Sequence, residues 1–362
     1  MVIAEYKQKR IGLDQVQVGM QLDEDVINSS GMLLIPKDTV ITQKHIFRMQ
    51  LYQILSIVVR DYTNTSNVIP TPEKNKDNHK ESVSYKKFSN SYNDSQVFLK
   101  DKLDCISDGK DINIKELFSI SEELINTLET KSDLFNFLCH IKQSDDHTYT
   151  HLMNVSMLCN IFGHWLHLPK DQIENLTVAG LLHDIGKVKI DKKILNKPGK
   201  LTEEEFNEIK QHTLLGYNMI KNQKLPHEVK MGVLSHHEKF DGSGYPFGFK
   251  NEQIHDFGKI IAIADIYDAM TSDRTYHKKF SPFKVIKIFE QESYGLLDTK
   301  YLFIFLENIA HNYLGNQVKL STGEVGKIVF IHNNQPSRPI VQLDNVMVDL
   351  QNENNIEIKE IL

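Results

Sequence analysis

Seven side chains suited to holding metal ions lie between His151 and Asp265, at helix ends and on apolar helical faces. His147 and His151 stand four apart at the start of a helical stripe, so both project from one face. His183 and Asp184 close an apolar helix in LTVAGLLHDIGKVKI, just before Gly186, which reads as a helix-ending residue. A carboxylate buried without a partner is strongly disfavoured, and a bound cation is one remedy. His212 follows in an amphipathic stretch, and His236 and His237 stand side by side where a helix gives way to a glycine-rich loop. Asp265 and Asp268 lie three apart on a very apolar helix. Any one of these residues alone would more often be structural. Together, His151, His183, Asp184, His212, His236, His237 and Asp265 exceed what a single tetrahedral zinc needs. The mixed nitrogen and oxygen set suits iron or manganese in a two-metal site that a carboxylate bridges. Two metals a few Å apart activate a bridging hydroxide and clamp a phosphoryl group. Phosphoester hydrolysis is therefore the chemistry that fits this inventory.

A phosphate substrate also needs cationic contacts. Lys187 lies three residues after Asp184, and Arg274 lies nine beyond Asp265, where its guanidinium would offer a bidentate fork. Without the metal context, each would be as readily a solvated surface charge. Asp268 is assigned to the substrate side of the site. The stretch from Gly180 to Lys187 is not a P-loop: five residues separate Gly180 from Gly186 instead of four, Val188 replaces the hydroxyl residue, and no strand precedes it.

These side chains need a helical scaffold, and apolar periodicity supplies one from about 99 to 315. In 114–128, Leu117, Ile120, Leu124 and Leu128 recur at three- and four-residue steps, with similar stripes in 148–166, 174–186, 203–221, 258–271 and 282–290. The expectation is a mainly α protein whose all-helical catalytic domain is flanked by small β modules. Residues 1–61 read as a mostly β module with one short helix over 42–52 and no evident chemistry. Residues 62–98, dominated by Asn, Ser, Thr, Lys and Asp, read as a flexible polar linker. Residues 316–362 return to short alternating strands.

With 362 residues, 40% hydrophobic and 25% charged, the chain is long enough for two or three globular domains. The net charge of -6 argues against DNA or RNA binding through overall basicity. No apolar run approaches the ~20 residues that cross a bilayer, and MVIAEYKQKR lacks a signal peptide's hydrophobic core, so a cytoplasmic protein is expected. Cys105, Cys139 and Cys159 form no CxxC pair, and Cys139 and Cys159 read as buried free thiols.

In this order, LLHDIGK, the isolated His212, HHEKFDGSGYP and ADIYDAMTSDRTY resemble the HD-GYP subgroup of the HD phosphohydrolase superfamily over roughly residues 140–300. The module containing VGMQLDEDVINSSGMLLIPKDT also resembles one often found ahead of this unit. The resemblance implies a phosphodiesterase that hydrolyses cyclic di-GMP to pGpG and GMP with two or three divalent ions, iron or manganese. It makes the seven residues above metal ligands, with Asp184 bridging beside the attacking hydroxide, and His183, Asp184 and Lys187 the catalytic set. Lys187 and Arg274 would hold substrate phosphates, while Gly244, Tyr245 and Pro246 would shape the mouth and offer a surface to a protein partner. Two positions depart from the family pattern. His147 stands where the family has tyrosine, or glutamate in members with a third metal; it is either an eighth ligand or a bystander. His277, followed by Lys278, stands where Arg or Lys is usual. A homodimer, the same chemistry on another cyclic nucleotide, and a non-catalytic cyclic dinucleotide receptor remain alternatives at this point.

Overall fold

The structure is a computed structural model that describes residues 6–12, 16, 19–27, 33–42, 45, 49, 56–61, 83–140, 147–195, 197, 202–272, 280–293, 295–344 and 346–362. The side chains of Cys139, His140 and His147 are outside this description, as are Arg274, His277, Lys278 and most of the short helix expected over 42–52.

The N-terminal module is built from two antiparallel pairs, β1 (Lys7–Gly12) with β4 (Ser56–Asp61) and β2 (Val26–Ile27) with β3 (Leu33–Ile35). It encloses its own small core of Ile11, Leu22, Val26, Ile35, Ile41, Ile57 and Val59. Asp23 is buried beneath it, and hydrogen bonds from Gln8, Arg60 and Tyr6 hold its carboxyl down at about 2.

Twelve α-helices follow among the described residues. The first is α1 (Val83–Ser107), which occupies part of the segment read from composition as linker. That expectation fails from residue 83 onward because periodicity outweighs average polarity. Tyr85, Phe88, Tyr92, Leu99, Leu103 and Ile106 recur at near-helical spacing and are all buried in the main core. Residues 62–82 lie outside the described residues.

Next come α2 (Ile114–Asn126), α3 (Lys131–His140), α4 (His147–Trp165) and α5 (Lys170–Leu182). Helices α4 and α5 are buried along most of their length, as befits central helices. A 3-10 turn (Ile185–Lys189) then leads into α6 (Lys192–Leu195), α7 (Glu203–Lys210), α8 (His212–Ile220) and α9 (His227–Ser235). Helix α7 starts at a capping box in which Thr202 and Glu205 exchange hydrogen bonds, a device worth about 1 kcal/mol. The domain closes with α10 (Asp256–Thr271), α11 (Pro282–Glu292), capped by Ser281, and α12 (Thr299–His311), capped by Asp298.

The C-terminal strands form one antiparallel sheet in the order β8-β7-β6-β5-β9, comprising β5 (Gln317–Leu320), β6 (Val325–Phe330), β7 (Ile340–Leu343), β8 (Val346–Asp349) and β9 (Ile358–Ile361). Alternation in β5, where Val318 and Leu320 are buried between exposed residues, turns one face inward. Val318, Leu320, Ile328 and Val341 join the same core as the helices. Lys287 to Glu357 and Ser337 to Glu290 tie α11 to this sheet.

Candidate metal centre

Four helix ends, one turn and the interior of a further helix deliver the candidate ligands to a common point. His151 comes from the first turns of α4, His183 caps the end of α5, and Asp184 opens the 3-10 turn. His212 begins α8, His236 and His237 follow α9, and Asp265 lies inside α10. The seven residues fall into two clusters whose ligand atoms each lie within 4.8 Å of one another. One holds Asp184, His212, His236 and His237; the other holds His151, His183 and Asp265.

Asp184 lies between the clusters. Its Oδ1 is 3.1 Å from His212 Nε2 and 3.8 Å from His236 Nε2, whereas Oδ2 is 3.3 Å from His183 Nε2 and 3.8 Å from His151 Nε2. Each oxygen therefore faces a different set of imidazoles. His151 Nε2 lies 3.0 Å from Asp265 Oδ1, and His237 Nδ1 lies 4.0 Å from Asp265 Oδ2.

Backbone carbonyls fix the histidine tautomers. Nδ1–H of His183 donates to Gly180 O at 2.7 Å, that of His212 to Ile209 O at 2.7 Å, and that of His236 to Val233 O at 2.9 Å. Each ring thus turns its Nε2 inward, as metal-ligating histidines do. His183 Nε2 and Asp184 Oδ1 are buried with no hydrogen-bond partner, and such orphans carry a desolvation penalty of about 1–3 kcal/mol each. The Nε2 atoms of His212 and His236 also converge to 3.4 Å. Lone pairs and carboxylate oxygens aimed at one small volume fit divalent cations and little else.

Protonation follows from the same packing. Burial works against charge on Asp184, but Lys187 and the surrounding imidazoles outweigh it and hold the carboxyl well below its usual range. Burial, with the neighbouring His183 and His212, pushes His236 down to about 4; burial and His236 likewise keep His237 neutral. His151 differs. Burial opposes its charge, yet Asp265 and Asp268 prevail and raise it to about 9. A metal entering at pH 7 must displace that proton, so affinity should rise about tenfold per pH unit between pH 6 and 8, with about one proton released. Manganese titrations in buffers of different ionisation enthalpy measure both quantities, and an affinity independent of pH over this range contradicts the assignment.

The remaining expected site residues divide. Lys187, partly exposed, places Nζ against Asp184 Oδ2. The Tyr245 ring lies 4.8 Å from the ring of His237. Gly244 packs so closely that a Cβ would lie 2.3 Å from Lys239 N and 2.5 Å from His237 O. Gly186 is not the helix terminator expected of it, since it sits within the 3-10 turn, pressed against α8. Asp268 is corrected as well. It is buried, with Oδ2 accepting from His151 Nδ1 at 2.7 Å and Oδ1 from Asn154 at 2.8 Å and Ser272 at 3.1 Å. Both of its oxygens are engaged by protein groups, and it orients a histidine.

Two supporting residues were missed in the sequence reading. Asn154, one turn after His151, was detectable as a polar residue on an apolar helix. Buried Glu238 accepts from Phe247 N at 2.8 Å and Phe249 N at 3.0 Å, anchoring the glycine-rich loop; its carboxyl is raised by burial.

Residues 127–300 match a family model described as HD domain. A cyclic di-GMP phosphodiesterase of Pseudomonas aeruginosa is 35% identical over 57% of this chain and 50% of its own length. One from Thermotoga maritima is 37% identical over 40% of this chain and 39% of its own. A 3'3'-cGAMP-specific phosphodiesterase of Vibrio cholerae is 32% identical over 56% and 44%. The chain thus spans half or less of the length of these relatives. In fold, it is similar to an HDG"Y"P protein from Bdellovibrio bacteriovorus, with a TM-score of 0.51 and 14% identity, over 84% of this chain and 99% of that one.

Proposed function

We propose, from the premise that residues 127–300 form an HD domain, that this protein is a metal-dependent phosphodiesterase hydrolysing cyclic di-GMP to pGpG and onward to GMP. The observation that carries the reading is the placement of Asp184, each of whose oxygens faces one cluster of imidazoles. His212, His236, His237 and Asp184 would hold one divalent ion, and His151, His183 and Asp265 a second, with iron or manganese the best match to the donor set. Ions held there would supply charge stabilisation for the phosphoryl group and would lower the pKa of a water.

The protein's own groups do the rest. His183, His212 and His236 keep Nε2 aimed inward because their Nδ1 protons are committed elsewhere. Lys187 Nζ, held against Asp184 Oδ2, would donate to one substrate phosphate oxygen, and Arg274 is assigned to the second phosphate. Tyr245 shapes the opening, and burial beside Asp184 and Asp265 holds its phenol protonated. We place the protein in the cytoplasm, where a cyclic dinucleotide messenger would be met; among the described residues no helix is long and apolar enough to cross a membrane.

Similarity to 3'3'-cGAMP-specific enzymes favours a second reading, the same chemistry on a hybrid dinucleotide. Full-length protein purified without oxygen and loaded with iron or manganese should convert cyclic di-GMP to pGpG and then GMP, as read by chromatography. Persistence of cyclic di-GMP while 3'3'-cGAMP is cleaved selects the second reading. Metal uptake with neither substrate cleaved overturns the assignment as a hydrolase of either.

A further inference from the structure

Helix α1 lies outside the HD match, yet it reaches the metal centre through a chain of buried hydrogen bonds. Tyr92, 1% exposed, has its hydroxyl 2.6 Å from Asn154 Oδ1 and 3.1 Å from Thr150 O. Burial keeps this phenol protonated, so it donates. With Oδ1 of Asn154 turned to that donor, the amide must present its NH2 to the other side. There Nδ2 donates to Asp268 Oδ1 at 2.8 Å. Were the amide reversed, its oxygen would face the carboxylate, a contact with no proton to mediate it. Asp268 Oδ2 is left for His151 Nδ1–H at 2.7 Å, which turns His151 Nε2 toward Asp265 Oδ1, 3.0 Å away. A second tie runs beside the first: Gln96, one turn along α1, donates to Thr150 Oγ1 at 2.6 Å. Each link has a single workable polarity, and all three connecting side chains are at most 3% exposed.

We propose that Tyr92 is a positioning residue for the metal centre, fixing the ring and tautomer of His151 through Asn154 and Asp268. Helix α1 thereby sets the affinity of the half-site formed by His151, His183 and Asp265. The inference rests on reading these residues as metal ligands. Outer partners of ligating histidines commonly change metal affinity by about 10–100-fold, and Tyr92 acts two steps beyond the outer partner Asp268, so the low end, about tenfold, is expected.

The test uses the full chain, stripped of metal and titrated with Co2+ by visible absorption and with Mn2+ by calorimetry. Tyr92→Phe removes only the hydroxyl. It should leave one binding step unchanged, weaken the other about tenfold, and alter the cobalt spectrum as the His151 ring loosens. Leu99→Ala, a fully buried change on the same helix, serves as the packing control. It should lower the melting temperature while keeping the wild-type isotherm and spectrum. A Tyr92→Phe protein indistinguishable from wild type in both titrations overturns the proposal. So does a Leu99→Ala protein that loses metal affinity equally, because loose packing of α1 would then explain the effect. Wild-type protein that takes up neither ion removes the premise itself, a different failure from a normal wild type with an unaltered variant.

Discussion

Replacing Asp184 with alanine is expected to reduce phosphodiester turnover by at least about a thousandfold and to remove tight metal binding. The magnitude follows from metal charge stabilisation worth several kcal/mol, at 1.36 kcal/mol per tenfold in rate. Asp184 is the only group among the described residues with one oxygen toward the His212 and His236 pair and the other toward His183 and His151. Without it, neither cluster retains its shared anion: His212, His236 and His237 are left as imidazoles alone, and His151 and His183 keep only Asp265. Asp184→Asn separates charge from shape, since the amide keeps the volume and one acceptor oxygen. It should lose nearly as much activity, because an amide nitrogen cannot ligate through either face of the bridge. Folding offers an independent readout. A ligand at 100 times its dissociation constant stabilises the native state by about 2.7 kcal/mol, so manganese should raise the melting temperature of the wild type and not that of Asp184→Ala. Turnover or a metal-induced melting shift at wild-type level in the alanine variant would sink the bridging assignment.

The seven ligand candidates were legible because titratable residues on apolar helices are conspicuous, and the fold brings their ligand atoms into two adjoining clusters. Direction was harder to read than membership. Asp268 shares its helix face with Asp265, and spacing alone cannot distinguish the open mouth from the buried flank; only the approach of Asn154 and Ser272 decides it. Helix α1 was obscured for another reason. The polar average of its segment suggested a linker, although Tyr85, Phe88 and Tyr92 already carried the helical period. Burial of that stripe outweighs the intervening Ser and Asn residues, whose preference against helix is a few tenths of a kcal/mol each. Thr202 and Glu205, in contrast, form a capping box whose chemistry is confined to four residues. Local devices are readable in a sequence, whereas contacts between segments far apart in the chain are not.

Gly186 is the sharpest instance of such a contact, and Gly186→Ala carries the largest expected structural effect. A Cβ there would lie 1.9 Å from His212 O, 2.5 Å from Gly216 N and 2.8 Å from His212 C, all backbone atoms that cannot swing aside. Relief requires α8 to retreat from the turn by more than 1 Å, judged against ordinary contact near 3.5 Å. Overpacking of this kind costs about 1–3 kcal/mol, and a clash confined to backbone belongs at or above the upper end. For a domain of this size, that corresponds to a melting temperature lower by roughly 6–12 °C. The functional loss should exceed what stability alone produces, because the displaced atoms belong to His212 itself. Its Nε2 would leave Asp184 Oδ1, now 3.1 Å away, so the cluster containing His236 and His237 should lose its metal even at temperatures where the variant is fully folded. Val188→Ala, two residues along on a side chain that is 46% exposed, should change stability by no more than about 0.5 kcal/mol and leave metal binding intact. Metal analysis and calorimetry on the two variants at 15 °C decide the matter: a folded Gly186→Ala protein with a full metal complement would show that the 3-10 turn does not position His212.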